Sequence, residues 1–424
     1  MQKLQIDQII VRDDLYPRLK KDPVLVQKYT SELDVLPPIE VNQRNELIDG
    51  WHRLVAYKTA GIEEIPVIVT KTGSDVETLA LAITRNAKHG QQLSSDDKKK
   101  MAQRLFSGGA GLEKDKIAEI LSVTPKTVSK YLSEDLKQIK KEQNRKILDM
   151  YLTCCTQEEI AEEVGLPRKT IDERLKVLAD LTRCPKSPKV SALFEDEFTP
   201  PLYNVWRFSK SSNNVAHFGN SEQTIAENLL YLYTEPFDIV VDPFAGGGST
   251  LDVCRKRLRR CWISDRKPIP AREYEIRKHD IVKDGVPPLH KRWSEVSLTY
   301  LDPPYWRQAV GEYSDDAEDL ANQSLKEFYE NLSKFIIEVA QRQKKGVIAL
   351  LIQPTQWRAD DRKFTDHVFD LTSMVGDADG RLELENRVSC PYNSEQYNAQ
   401  MVNWAKENKK LLVLTRELII WRLR

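Results

Sequence analysis

The stretch DIVVDPFAGGGST, residues 238–250, decides the fold of the second half of this 424-residue chain. Its apolar run predicts a buried strand, and the three glycines that follow predict a loop whose backbone a ligand can approach closely. The run from Leu251 to Leu258 then predicts a helix. The Lys-Ser/Thr pair of a P-loop and the Gly-x-Gly-x-x-Gly spacing of a dinucleotide loop are both missing. We therefore predict a ligand-binding strand–loop–helix unit of another kind.

Three further strands are predicted after this unit, and each ends at a polar side chain. They are residues 261–264 before Asp265, residues 274–277 near Asp280, and residues 296–301 before Asp302-Pro303-Pro304-Tyr305. An acidic residue about twenty positions after a glycine loop is suited to binding ribose hydroxyls. Open α/β folds bind ligands at the carboxyl edge of their parallel strands, so we expect these side chains to lie close together.

Two of these acidic residues also have plain structural explanations. Asp-Pro-Pro at a strand end is favourable turn chemistry, so Asp302 could serve only to turn the chain. Asp280 could instead cap the segment that follows it. A glycine loop followed along the chain by several acidic strand ends favours a functional role for Asp302. Whether Asp280 binds a ligand or only caps the next segment stays undecided.

From about residue 200 to residue 424 the chain resembles the DNA amino-methyltransferases. Residues 242–248 resemble motif I of that family, residues 302–305 resemble its catalytic motif IV, and residues 217–221 with the next predicted helix resemble its motif X. The resemblance implies a Rossmann-like domain with a mixed seven-stranded sheet and S-adenosylmethionine as the cofactor. The residues that it assigns to cofactor binding are Asp242, Pro243, Phe244, Gly246, Gly248, Asp265, Asp280, Phe218 and Asn220.

The same resemblance assigns catalysis to Asp302, Pro303, Pro304 and Tyr305. An exocyclic amine is a poor nucleophile because its lone pair is delocalised into the ring. We therefore expect Asp302 and the carbonyl of Pro303 to accept its N–H groups. Tyr305 is expected to stack on a base that has been flipped out of the duplex.

The residue that opens motif IV bears on the acceptor. An aspartate there favours adenine N6, with cytosine N4 and RNA as alternatives, and the absence of a Pro-Cys motif argues against cytosine C5. The alternative from another class is a non-enzymatic DNA-binding or nucleotide-gated clamp with a degenerate methyltransferase domain. The intact runs 246–248 and 302–305 argue against it. The resemblance also suggests restriction-modification as the setting.

The first ninety residues alternate short strands and helices, which predicts a small α/β domain. Gly50 and Arg53 lie at a predicted strand-to-helix junction, where backbone amides and the helix dipole favour an anion. With Ala56 they resemble the first nucleotide box of the ParB/sulfiredoxin-like fold, over about residues 4–100, which implies a nucleotide ligand. The second box is matched only in part at residues 85–89, which favours a domain that only holds DNA or a partner. Trp51, where the redox branch has cysteine, excludes sulfiredoxin chemistry.

Residues 91–182 are predicted to be helical, and they contain an internal repeat with an offset of 43 residues. Each copy has the small residues, the tight turn and the apolar spacing of a helix-turn-helix unit. The second helix of each copy exposes basic side chains that can contact DNA phosphates and bases. These residues are Lys126 and Lys130 in the first copy and Arg168 and Lys169 in the second. The alternative is a helical pair that contacts protein.

Charge composition, proline-rich segments and cysteine content complete the prediction of the domain organisation. The chain has 64 basic and 64 acidic residues, so any DNA binding must be local. The predicted domains are 1–92 (ParB-like), 93–182 (helix-turn-helix), a linker at 183–201, and 202–424 (methyltransferase). We expect the sheet of the last domain to close with a hairpin of residues 411–414 and 418–421, which leaves residues 357–401 for target recognition. Neither the six cysteines nor the amino terminus indicates a metal site or a signal peptide, so we expect a cytoplasmic protein without metal.

Overall fold

The structure is a computed structural model of the chain. It describes residues 2–17, 22–88, 93–107, 111–182, 194, 198–207, 223–307, 319–356, 363–378, 380–392 and 397–424. The chain divides into two compact units, Met1–Glu142 and Gln143–Arg424. Across these described ranges no helix is long and apolar enough to cross a membrane.

The amino-terminal unit begins with a small mixed sheet. Its elements are β1 (Gln2–Gln5), α1 (Pro23–Thr30), β2 (Ile39–Val41), β3 (Leu47–Asp49), α2 (Trp51–Thr59), β4 (Glu64–Val69) and α3 (Asp75–Lys88). The strand order is β1-β4-β2-β3, and only the β2–β4 pair is parallel. Ile39, Val41 and Leu54 are among the apolar side chains buried against this sheet. The predicted small α/β domain is confirmed.

Six helices follow in the described residues 93–107 and 111–182, and they include the two helical pairs that the sequence predicts to be helix-turn-helix units. They are α4 (Ser95–Ser107), α5 (Lys114–Leu121), α6 (Pro125–Tyr131), α7 (Ser133–Leu152), α8 (Gln157–Val164) and α9 (Arg168–Thr182). The first unit is α5 with α6, and the second is α8 with α9. Ser122 and Gly165 occupy the two turns in the left-handed conformation, and Thr124 and Thr156 cap the helices α6 and α8.

The two helix-turn-helix units have separate hydrophobic cores. Val128 and Leu132 pack in the amino-terminal unit with residues of α3, α4 and α5, whereas Ile160 and Ile171 pack against Ile147 of α7. The boundary between the compact units falls inside α7, and it divides the region 93–182, which the sequence predicts to be one domain.

The carboxyl-terminal unit is a doubly wound α/β domain. After α9 its elements are α10 (Gln223–Tyr233), β5 (Ile239–Asp242), α11 (Ser249–Lys256), β6 (Arg260–Asp265), β7 (Arg277–Lys278), β8 (Val296–Leu301), α12 (Leu325–Arg342), β9 (Val347–Ile352), α13 (His367–Ala378), β10 (Leu382–Pro391), α14 (Ala399–Glu407) and β11 (Thr415–Leu423). The seven strands are ordered β10-β11-β9-β8-β5-β6-β7. The strands from β9 to β7 are parallel, while β11 runs antiparallel to both β9 and β10. This is the predicted mixed seven-stranded sheet.

This sheet is covered by helices on both faces. Phe328, Leu332 and Ile336 of α12 pack on one face, and Leu229, Leu251 and Cys254 of α10 and α11 pack on the other. Every residue of β8 and β9 is buried, as expected for strands covered on both sides. In the order β8-β5-β6, the strand that follows β5 in sequence lies on one side of it and β8 lies on the other. Open α/β sheets bind ligands at the carboxyl edge where the strand order reverses in this way.

The predicted closing hairpin was wrong in one strand. Residues 411–414 form no strand, and the antiparallel partner of β11 is β10, which comes from the region assigned to target recognition. Leu411 is largely exposed, so the apolar run 411–414 does not supply a core-facing strand. The third strand of the methyltransferase sheet was also misplaced, because it covers Arg277–Lys278 rather than 274–277.

Gly346, which precedes β9, offers a test of the packing between β9 and β8. Its φ is +80°, and a Cβ atom there would collide with the backbone carbonyl of Ser297. Gly346→Ala should therefore lower the free energy of unfolding by about 3 kcal/mol or more, measured by calorimetry of the full chain. Gly165→Ala is the matched control, since Gly165 has φ of +68° but open space around it, and should cost only about 1–2 kcal/mol. Equal losses in the two variants would contradict the predicted collision.

Candidate active site

The glycine loop between β5 and α11 is held by hydrogen bonds from both sides. The amide of Phe244 donates to Asp242 Oδ1 at 2.9 Å, and the amide of Ala245 donates to the carbonyl of Ser264 at 2.9 Å. The amide of Gly246 donates to Asp265 Oδ2 at 3.0 Å. Gly246 and Gly248 both have positive φ, which explains why glycine is needed in this turn. The loop therefore lies against the end of β6 as the sequence predicted.

Asp242 is a buried carboxyl group at the start of this loop. Burial raises its pKa to about 7, and the carboxylates of Asp302 and Asp265 act in the same direction. Hydrogen bonds from the side chain of Thr250 and the amide of Phe244 oppose that rise without cancelling it. Three predicted site residues are thus close enough to interact electrostatically at one sheet edge, where they favour a positively charged ligand.

The next two acidic residues are engaged in local contacts. Asp265 Oδ1 accepts the amide of Lys267 at 2.8 Å. Asp280 Oδ1 accepts the amide of Val282 at 2.9 Å, and its Oδ2 lies 3.0 Å from Nε of Arg266. Asp280 therefore caps the segment after it, which is the structural role that the sequence left open, and its part in cofactor binding stays a prediction.

Asp302 lies directly after β8, beside the glycine loop of β5. The hydroxyl of Tyr305 donates to Asp302 Oδ1 at 3.3 Å, so the first and last residues of the motif contact each other. Burial and the Asp302 carboxylate hold the pKa of Tyr305 well above its ordinary value, which keeps the phenol neutral. Pro303 is buried, and Asp302, Pro304 and Tyr305 are partly exposed. The motif thus presents a carboxylate and an aromatic ring at an accessible edge.

A buried histidine supports the segment that follows Tyr305. The hydroxyl of Thr355 donates to the carbonyl of Trp306 at 3.0 Å and lies 2.7 Å from Nε2 of His367. Nδ1 of His367 lies 2.9 Å from the hydroxyl of Tyr329, which donates to Asp370. Burial lowers the pKa of His367 to about 4, so the ring is neutral and its one N–H can donate to only one of these two hydroxyls. This network fixes the backbone just beyond the motif.

Further polar side chains, which sequence reasoning missed, lie at the same edge of the sheet. The hydroxyl of Tyr392 donates to Gln353 Oε1 at 2.9 Å, and the guanidinium of Arg416 lies 4.4 Å from the centre of the Tyr392 ring. The buried hydroxyl of Tyr300 has no hydrogen-bond partner among the described residues. Tyr300 lies just before Asp302, but Gln353, Tyr392 and Arg416 belong to or follow strands that are distant in sequence, so no local motif could reveal them.

Arg272 is a further residue that the sequence did not indicate. Its Nη1 donates to the carbonyls of Gly247 and Gly248 at 3.1 and 3.3 Å. A Cβ atom on Gly248 would lie only 2.7 Å from the same nitrogen. Arg272 therefore packs directly on the outside of the glycine loop.

The basic residues assigned to DNA binding are exposed in both helix-turn-helix units. Lys126 and Lys130 lie on α6 in the amino-terminal unit, and Arg168 and Lys169 lie at the start of α9 in the carboxyl-terminal unit. Arg168 also pairs with Glu158, at 3.0 Å between Nη1 and Oε1. Phe218 and Asn220, the predicted motif X residues, lie outside the described residues.

The candidate nucleotide site of the amino-terminal unit uses its arginine internally. Gly50 directly precedes α2 and has φ of +103°. Arg53 donates to the carbonyls of Pro37 and Pro38 and to Asp49. An anion at this helix start would have to compete with those acceptors. The partial second box agrees with this arrangement, because Arg85 is paired with Glu40.

Comparison with known proteins confirms the predicted resemblance. The ParB N-terminal domain family matches residues 16–87, and the DNA methylase family matches residues 82–268. The second match includes the glycine loop and ends before Asp302. The order of the matches is that of the predicted domains, and they support a DNA methyltransferase of the adenine-N6 or cytosine-N4 type.

Individual relatives cover only parts of the chain. The transcriptional regulator NovG of Streptomyces niveus is 33% identical over 95 residues, which are 22% of this chain and 30% of that relative. The parS-bound ParB of Caulobacter crescentus is 14% identical, with 42% of this chain and 100% of that chain covered and a TM-score of 0.25. A precorrin-6y C5,15-methyltransferase of Geobacter metallireducens is 12% identical, with 48% and 87% covered and a TM-score of 0.26. Scores this low establish no detailed correspondence between the chains.

The raised pKa of Asp242 predicts that the free energy of unfolding decreases as pH rises. The unfolded carboxyl loses its proton near its ordinary pKa of 3.8, whereas the folded one keeps it until about 7. The native state is therefore disfavoured progressively as pH rises through that window, by on the order of 4 kcal/mol at the upper end. Asp242→Asn cannot ionise and still accepts the Phe244 amide. Its stability relative to wild type, from denaturant unfolding, should increase between about pH 4 and pH 7. A pH-independent difference would contradict the raised pKa.

Proposed function

We propose that the chain is an S-adenosylmethionine-dependent DNA methyltransferase that methylates an exocyclic base amine, with adenine N6 as the acceptor. The observation that carries the proposal is the adjacency of two strand ends. The glycine loop follows β5, and the run Asp302-Pro303-Pro304-Tyr305 follows its parallel neighbour β8. A cofactor on the first and a base on the second would meet at one edge of the sheet.

The residues around the glycine loop fit the proposed cofactor. Its sulfonium and ammonium groups are positively charged, which suits an edge that holds Asp242, Asp265 and Asp302. Asp265 accepts two backbone amides, and carboxylate oxygens have further lone pairs for ribose hydroxyls. When bound, S-adenosylmethionine supplies an electrophilic methyl group on sulfur.

The motif residues supply orientation and hydrogen-bond acceptance. Asp302 accepts one N–H of the target amine, and the carbonyl of Pro303 accepts the other, so nitrogen electron density is directed at the methyl group. The bond from Tyr305 to Asp302 is long at 3.3 Å, so an amine can replace it at modest cost. The neutral Tyr305 ring can then stack on the flipped base. The aspartate that opens the motif is the feature that favours adenine N6 over cytosine N4.

The helix-turn-helix units supply the proposed DNA contacts. Each presents exposed basic residues on its second helix, as a unit that enters the major groove would. A neutral chain needs such local basic surfaces, because its average charge attracts no phosphate.

The catalytic assignment is tested by changing Asp302. Asp302→Ala should reduce methyl transfer about a hundredfold or more, because it removes about 3 kcal/mol of transition-state stabilisation. Cofactor affinity should remain, since Asp302 acts on the acceptor amine. The measurements are methyl transfer from S-adenosylmethionine to mixed-sequence duplex DNA and calorimetric cofactor binding.

Two controls sharpen that test. Tyr305→Phe keeps the ring and should lose less activity than Tyr305→Ala, whose loss of stacking is worth about 1–3 kcal/mol. Mass spectrometry of digested DNA should find N6-methyladenine, whereas N4-methylcytosine would establish the alternative acceptor. No methylated base with wild-type protein, or full activity of Asp302→Ala, would refute the assignment.

The two helix-turn-helix units can be tested separately. Lys126→Ala with Lys130→Ala, and Arg168→Ala with Lys169→Ala, should each weaken DNA binding. Removal of one phosphate-binding side chain should reduce the dependence of log affinity on log salt by about one. Lys116→Ala is the matched control, because Lys116 is exposed on α5 and is paired with Glu119. A salt dependence equal to that of the control would favour a helical pair that contacts protein.

A further inference from the structure

The glycine loop is supported from outside by a short series of charged side chains. Arg272 binds the carbonyls of Gly247 and Gly248, and it also contacts Asp252 at the start of α11 with both terminal nitrogens, at 2.9 and 2.7 Å. One guanidinium therefore joins the loop to the helix that follows it.

Glu275 joins this arginine to a second one. Nε of Arg272 donates to Glu275 Oε2 at 2.6 Å, and Nη1 of Arg255 donates to Glu275 Oε1 at 2.5 Å. The side chains of Arg272 and Glu275 are only 12% and 10% exposed. Burial alone would raise the pKa of Glu275, but the hydrogen bonds from both arginines hold it below its ordinary value. The carboxylate is thus ionised and bound on both oxygens.

Arg255 extends the series to the second helix-turn-helix unit. Its Nε lies 2.9 Å from Asp149 Oδ1, and its Nη2 donates to Asp149 Oδ2 at 3.3 Å. Asp149 lies on α7, whose carboxyl-terminal half forms one hydrophobic core with α8 and α9. The ion pairs therefore run without a gap from this helical core to the glycine loop.

The end of α7 is fixed against the sheet by independent contacts. Arg277 donates to the carbonyl of Thr153 at 2.8 Å, and Arg292 donates to the carbonyl of Cys154 at 2.8 Å. Arginines at a helix carboxyl terminus satisfy carbonyls that have no intrahelical partner and complement the helix dipole. Cys154 itself is buried in the core of the sheet with Trp262. Asp149, about one turn earlier, is accordingly held at a defined place beside Arg255.

We propose that Arg272 is a positioning residue for the methyl-donor site, and that Asp149, through Arg255 and Glu275, makes the placement of the second helix-turn-helix unit part of that support. The link to the methyl donor rests on the proposed function. Arg272 contacts the carbonyl side of the loop, whereas the amides of Gly246 and Gly248 donate within the protein, to Asp265 and to the carbonyl of Ala245. Affinity for the cofactor then depends on a helical unit that does not touch it.

The series predicts graded effects of substitution. Arg272→Gln removes the loop contacts themselves and should raise the Kd for S-adenosylmethionine about ten- to thirtyfold. Asp149→Asn removes only the partly exposed outer ion pair and should raise it about two- to fivefold. Glu275→Gln should fall between them, because Asp252 still holds Arg272. Combined with Arg272→Gln, Asp149→Asn should have little added effect, since both act on one network.

The experiment uses the full chain and two measurements. Calorimetry gives the Kd for S-adenosylmethionine, and hydrogen exchange without ligand gives the protection of peptides that cover residues 246–252. Glu163→Gln is the matched control, because it removes the exposed Lys146–Glu163 pair in the same helical unit but touches no residue of the series. Exchange at 246–252 should be faster in Arg272→Gln and in Asp149→Asn, and unchanged in Glu163→Gln.

Unchanged exchange in Arg272→Gln would overturn the positioning role. Exchange and affinity in Asp149→Asn that match those of Glu163→Gln would overturn the contribution of the helical unit. If wild-type protein binds no S-adenosylmethionine, the proposed function and the link to the methyl donor both fail. The exchange measurement still decides whether the series positions the loop.

Discussion

The parallel pairing of β5 with β8 is the constraint on which the site depends. Val240 lies opposite Leu298 and Val241 opposite Thr299, so the two strands end side by side. The glycine loop and the Asp302 motif follow those ends immediately. If β8 slipped by one residue along β5, each of its buried apolar side chains would move to the opposite face of the sheet. The helices packed on both faces of the sheet therefore specify the distance between the two parts of the site.

This pairing also concentrates negative charge. Asp242 and Asp265 end adjacent strands and Asp302 follows β8 directly. Burial raises the pKa of Asp242 to about 7, and the carboxylates of Asp302 and Asp265 act in the same direction. Such clustering destabilises a fold unless a ligand or hydrogen bonds compensate for it, and groups of this kind are concentrated at functional sites. The amide of Phe244 and the hydroxyl of Thr250 provide part of the compensation, and a cationic ligand would provide more.

Local motifs predicted the parts of the site that lie at strand ends, because a glycine loop and a Pro-Pro turn carry their own geometry. The glycine loop and β8 were both found within a residue or two of their predicted bounds. Residues 411–414 were wrongly predicted to form a strand. An apolar run alone does not show whether the segment pairs with a neighbouring strand or lies exposed. Arg272 and Arg416 were missed for a different reason: their contacts are made across the fold, and nothing in the neighbouring sequence distinguishes them from surface arginines.

The placement of the arginines also explains why the net charge of the chain does not predict whether it binds DNA. Arg257 and Arg259 are almost fully buried, the first paired with Glu227 and the second bound to the carbonyl of Thr234. Arg260 binds the carbonyl of Phe237, and Arg292 holds the end of α7. An arginine that is paired with a carboxylate contributes little to the field outside the protein because the two charges cancel, whereas the exposed lysines on α6 act at the surface. A net charge of zero therefore does not give the charge of any one surface, and the relevant quantity for DNA binding is the charge exposed on each helix.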